Sequence, residues 1–169
     1  MYTKKSLLVL FSMFVILALV LGTAIQASAE TTLHYKVYTW VNKGEKVPVG
    51  DVEGHMLGFV MRSAFLAFDN GEVATANSVG TNDYVKGEGP FMQYVTFKFQ
   101  DGATIMVKTH GTMGAGAAGW TSEIIKGTGR FEGITGTQDS KVKYLPLEPG
   151  EPFAKGYGEG TIIYTLPSK

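Results

Sequence analysis

The sequence predicts an all-β domain, an eight-stranded antiparallel barrel, set behind a cleavable export signal. Three observations carry that expectation. Beyond residue 30, short apolar runs rich in Val, Ile, Thr, Phe and Tyr are punctuated by glycine, which is strand composition with strand spacing. No long stretch there keeps helical periodicity without a Gly or Pro breaker. Glycines also stand inside the strand-like runs. That favours a tightly coiled barrel over a flat sandwich, because a sharp bend leaves no room for a Cβ.

Residues 1–29 have the three parts of a signal peptide. Lys4 and Lys5 form a positive start, Leu7 to Leu21 is an apolar run broken only by Ser12, and Ala27-Ser28-Ala29 is a small-x-small cleavage site. The mature chain, residues 30–169, is expected to begin at Glu30 and to be secreted or periplasmic. After cleavage no stable membrane insertion remains; the competing reading is an uncleaved anchor over Ser6 to Ile25.

Thr32 to Val41 alternates and is the first strand, with Leu33, Tyr35, Val37, Thr39 and Val41 on one face. Asn42 to Asp51 carries Gly44, Pro48 and Gly50 and reads as a loop. Val52 to Phe68 is a long strand bent near Gly58. Asn70-Gly71 and Asp101-Gly102 both have the chemistry of two-residue type I′ hairpins. Between them, Glu72 to Val79 returns, Gly80 to Asp83 turns, and Phe91 to Phe99 is the clearest strand. Ala103 to His110 follows. Gly111 to Gly119 is so rich in glycine that it reads as a loop at a barrel mouth. Trp120 to Lys126, Thr137 to Leu147 and Lys155 to Leu166 complete the strands, with a turn at Pro149 to Pro152. Several strands are apolar on both faces. One face lines the interior, and the other needs a cover such as a neighbouring subunit.

Composition excludes several functions. The full chain has 15 basic and 15 acidic residues; without Lys4 and Lys5 the mature part carries 13 against 15. A near-neutral domain without a basic run has no footprint for nucleic acid and no cluster for anionic lipid. There is no cysteine, which removes disulfides, thiolate nucleophiles and zinc–thiolate sites together. His34, His55 and His110 fall on three different segments without ligand spacing, so no metal site is read. Gly114 to Gly119 matches a dinucleotide fingerprint in letters only, since no helix follows to present amides to a phosphate.

Lys126 to Gly136 (KGTGRFEGITG), followed by Thr137 to Tyr144, is similar to the Gly-x-Gly-x-Phe-x-Gly-x-x-Gly strand-turn-strand signature of the allene oxide cyclase and dirigent superfamily. The matching residues are Gly127, Gly129, Phe131, Gly133 and Gly136. The resemblance implies a short, calycin-like, eight-stranded barrel, often trimeric, with an apolar pocket at one mouth. It also implies that a small apolar molecule is steered through cyclisation or radical coupling without a cofactor. No catalytic residue of that superfamily is matched to a position here.

Candidate ligand contacts come from parity and from misplaced polarity. Arg62 is the lone charge between Leu57 and Phe68. It either points outward at an edge or subunit contact, or faces a carboxylate, with Glu53, Glu123 and Glu159 as candidates. Gln93 shares the apolar face of Phe91, Val95, Phe97 and Phe99, where an amide is costly unless it is hydrogen-bonded; Phe97 lines the interior beside it. Tyr157 and Glu159 share a face of the last strand, with room left by Gly158 and Gly160. Glu123 shares a face with Thr121 and Ile125. A buried carboxylate pair would suit general acid–base chemistry.

Two functions remain open on the sequence. The first is an exported barrel that binds a small apolar or aromatic molecule and acts, if at all, as a cofactor-free cyclase, isomerase or dirigent-type protein. The second is a catalytically silent structural or interaction protein whose barrel is packed shut. The size of the hollow and its polar lining separate them. A hydrolase lacks any nucleophile–base motif.

Overall fold

The computed structural model describes residues 29–149 and 154–168. The expected export signal, residues 1–29, lies outside the described residues except for Ala29, as does most of the turn expected at Pro149 to Pro152. Eight antiparallel strands form one closed barrel in chain order: β1 (Thr31–Pro48), β2 (His55–Phe68), β3 (Val73–Val85), β4 (Gly89–Phe99), β5 (Thr104–Gly114), β6 (Ala117–Thr128), β7 (Thr135–Tyr144) and β8 (Lys155–Thr165). Each strand pairs with the next, and β1 closes the cylinder on β8 from Thr31↔Tyr164 to Trp40↔Lys155. Among the described residues the one helical element is a single 3-10 turn, Gly129–Phe131.

The interior follows the alternation of the strands. Tyr35, Val37 and Thr39 of β1 are buried, as are Phe91, Gln93, Phe97 and Phe99 of β4. Alternation breaks at two bulges. One lies between Val41 and Lys43, and the other shifts the register after Met106, opposite Ile124 to Lys126. The first bulge carries β1 through the segment read as a loop. The chain continues in ladder register from Lys43↔Met61 to Pro48↔Met56, despite Gly44 and Pro48.

The turns depart from expectation in an orderly way. At Asn70-Gly71 and Asp101-Gly102 the loops have three residues, with Gly71 N bonded to Phe68 O and Gly102 N to Phe99 O. Only the glycines take positive φ, +85° and +84°. The Asn70 and Asp101 carboxamide and carboxylate oxygens accept the backbone N–H two residues on, holding those side chains in a local turn and their own φ negative. The two-residue positive-φ turns fall instead at Lys86-Gly87 and Ala115-Gly116. The expected turn at Gly80 to Asp83 and the expected loop at Gly111 to Gly119 are mostly strand. Two of their glycines serve close packing: a Cβ at Gly80 would strike the Met92 carbonyl and Gln93, and one at Gly111 would strike the Gly119 carbonyl, the Phe91 ring and the Trp120 Cβ.

One end of the cylinder is sealed by aromatic rings. Phe68 stacks on Phe99 at 5.4 Å, Phe99 meets Phe131 at 4.8 Å, and Tyr164 stands edge-on to Phe131 at 5.9 Å. Phe131 hangs from the glycine-rich β6–β7 connection and is 2% exposed. Above the rings Arg130 lies 4.6 Å from the Phe131 centroid and 5.0 Å from that of Phe99, and pairs with Glu72 at 2.5 Å and Asp101 at 3.1 Å. Three hairpins are thereby tied together at this end.

Candidate functional site

Towards the opposite end, where the turns at Lys86-Gly87 and Ala115-Gly116 lie, the interior is hollow. The space open to the centre of a water molecule is about 70 Å³, and the empty volume of the hollow with its open mouth is about 710 Å³. Tyr35, Leu66, Ala76, Phe97, Thr109 and Gln138 are among its lining residues. Nearer the mouth stand Arg62, Phe91, Met113, Trp120 and Tyr144. Phe91 and Trp120 meet edge to face at 6.1 Å.

A polar chain crosses the wall of this hollow. The Thr109 and Ser122 hydroxyls are 2.8 Å apart, Ser122 Oγ donates to Gln138 Oε1 at 2.5 Å, and Gln138 Nε2 donates to the Tyr35 hydroxyl at 2.5 Å. The single Ser122 proton goes to Gln138, so Thr109 is the donor in the first bond. All four residues are buried, and their mutual bonds offset the cost of desolvating them. Burial pushes the Tyr35 phenol up to about 12, against the opposing pull of hydrogen bonds with Ser140 and Gln138. It is therefore a neutral phenol near neutral pH.

Gln93 is different. It is 7% exposed and lines the hollow, and among the described residues its amide has no hydrogen-bond partner. The buried side-chain atom without a partner among the described residues is Asn82 Oδ1 of β3, so the Gln93 amide is reached from the hollow itself.

The structure divides the six sequence candidates. Arg62, Gln93 and Phe97 come together around the hollow. Arg62 is half-buried and faces the Tyr144 ring at 5.9 Å rather than Glu53, Glu123 or Glu159. Glu123, Tyr157 and Glu159 do not join them: all three are exposed on the outer face, Tyr157 by 49%. In β8 the inward positions belong to Gly156, Gly158 and Gly160. A Cβ at Gly160 would collide with the Tyr35 hydroxyl and one at Gly156 with Val142, so bulk arriving from neighbouring strands fills the space in front of β8. In β6 the inward side chains are Ala118, Trp120, Ser122 and Ile124, and Glu123 and Ile125 alternate with them on the outside. The carboxylate pair envisaged for acid–base chemistry therefore has no place in the hollow.

The Thr109–Ser122–Gln138–Tyr35 chain was missed by the sequence reading. The signal that singled out Gln93, a polar residue at inward parity, also marks Thr109 and Gln138. The histidines do not converge. His34 Nδ1 meets Thr161 at 3.0 Å, His110 is exposed, and His55 sits between Asp51 at 2.6 Å and Asp83 at 2.7 Å. Among the described residues no group of side chains is arranged to hold a metal ion.

The closed eight-stranded antiparallel barrel, plugged by aromatic rings at one end and hollow at the other, has the fold of a dirigent protein of known structure. Among solved structures, the chain is similar to the pterocarpan synthase dirigent protein PsPTS1, with a TM-score of 0.52 and 17% identity over 85% of this chain and 100% of that one. It is also similar to the pterocarpan synthase dirigent protein GePTS1, with a TM-score of 0.49 and 15% identity over 85% and 92% of the two chains. No family model and no curated protein matches the sequence.

Proposed function

We propose that the barrel is an exported dirigent-type protein that holds a small apolar or aromatic molecule in its hollow. The Gln93 side chain carries this reading: it lines an apolar hollow and bonds to no other described residue, so a guest with a hydroxyl or carbonyl could pair with its amide. The neighbouring polar groups are already committed to one another. The likeness in fold to the pterocarpan synthase dirigent protein PsPTS1 supports a dirigent-type role. A neutral Tyr35 and no carboxylate in the lining favour orientation over acid–base catalysis.

The small water-accessible volume favours the rival reading, a silent barrel. About 70 Å³ is well below the roughly 300 Å³ of a drug-sized pocket, so a guest is small or extends into the mouth. The outer face bears on assembly. Tyr38, Phe65, Met61, Val79, Tyr94 and Tyr157 are exposed across five adjoining strands, an apolar surface suited to covering by other subunits in a homotrimer.

Native mass spectrometry of the protein purified from its host tests these points together. The expected result is a trimer whose subunits begin at Glu30, with a small molecule retained by the parent and lost from Gln93→Leu. A ligand-free monomer overturns the proposal.

A further inference from the structure

The hollow has one charged side chain in its lining, Arg62. Its situation contrasts with that of Arg130 at the plugged end. Arg130 is neutralised by Glu72 and Asp101 and lies over two aromatic rings. Arg62 is half-buried, pairs with no carboxylate among the described residues, and has only the Tyr144 ring nearby at 5.9 Å. A cation–π contact of that kind is worth about 0.5–1 kcal/mol and leaves the charge in place. A guanidinium held beside an apolar cavity, with its donors unspent, matches a planar anion, because its fork bonds both oxygens of a carboxylate at once.

We infer that the guest is a small aromatic or apolar carboxylic acid. Its carboxylate meets Arg62 at the mouth, and its apolar body lies against Phe91, Phe97 and Trp120. This inference rests on the binding reading above and adds the guest's charge and orientation to it. The sequence marked Arg62 as unusual but sought its partner within the chain. The structure leaves that partner to be supplied from outside.

The test uses phenylacetate and its neutral isostere phenylacetamide. The chain has two tryptophans, Trp40 on the outer face and Trp120 in the lining, so Trp40→Phe makes the indole emission a report on the hollow. At neutral pH and low salt, phenylacetate is expected to bind about tenfold more tightly than phenylacetamide, the scale of one charge-assisted contact at a partly exposed site. That preference is expected to shrink as salt is raised. Arg62→Met is expected to abolish it, so that the two probes bind alike, and Arg62→Lys to retain part of it. Equal affinity for the two probes overturns the acidic head group but leaves binding intact. A preference that survives in Arg62→Met overturns the assignment to Arg62. Silence of Trp120 towards both probes removes the binding reading itself.

Discussion

The two ends of the barrel are built from similar residues and put to opposite uses. At the plugged end, Phe68, Phe99, Phe131 and Tyr164 are in ring contact, and Arg130 is balanced by two carboxylates. At the hollow end, Phe91, Trp120 and Tyr144 stand around open space, and neither Gln93 nor Arg62 has a polar partner among the described residues. The plug spends its polar and aromatic groups on stability. The hollow withholds them, as a site must if it is to recognise something else.

The largest effect on stability is expected from the plug. Phe131→Ala empties the centre of the ring cluster and is expected to cost about 3–5 kcal/mol in urea denaturation. A loss below about 1 kcal/mol would show that the plug does not hold the barrel shut. Gly129→Val is next. Gly129 has φ +63°, and its Cβ would lie 3.1 Å from that of Ala103, so a β-branched residue is strained there by about 1–3 kcal/mol, read as a lower melting temperature.

The hollow should respond differently. Gln93→Leu removes an amide that bonds to no other described residue and is expected to leave stability unchanged within about 1 kcal/mol, while weakening guest binding. Marked destabilisation would reveal a structural partner for Gln93 and erase the contrast between the ends.

The smallest effect is at the rim of the hollow end, where His55 bridges Asp51 and Asp83. Hydrogen bonds to Asp83 and then Asp51 raise the His55 pKa above its ordinary 6.5. The stability this gives is fully present below 6.5 and is lost as pH rises through the folded-state value. Hydrogen bonds from the Val52 backbone N–H and then from His55 lower the Asp51 pKa below 3.8, so its contribution is present above 3.8 and lost as pH falls through the folded value. The bridge is therefore strongest between these limits. Denaturation midpoints measured across neutral pH are expected to fall slightly as pH rises, and His55→Gln to flatten that slope.

Much of the architecture was legible because strands advertise themselves by alternation. Phe91 to Phe99 showed its inward face directly, and Gln93 stood out on it. The glycine-rich segment around Phe131 was legible as a motif, but its service as a plug was not, because the partners Phe99 and Tyr164 are distant in sequence. Where large side chains were used to choose the inward face, β8 misled: Tyr157 and Ile163 drew the eye, while the interior there is lined by glycines.

By itself the sequence determined the all-β class, eight strands and the polarity of single positions, since these follow from local composition and a period of two. Only the tertiary structure decided which glycines face inward, which bulges reverse a strand's parity, and which polar groups satisfy one another. Each of those depends on volumes and distances between strands far apart in the chain. Gly160 is small because Tyr35 arrives from β1, and Gln138 is satisfied because Ser122 and Tyr35 reach it from β6 and β1.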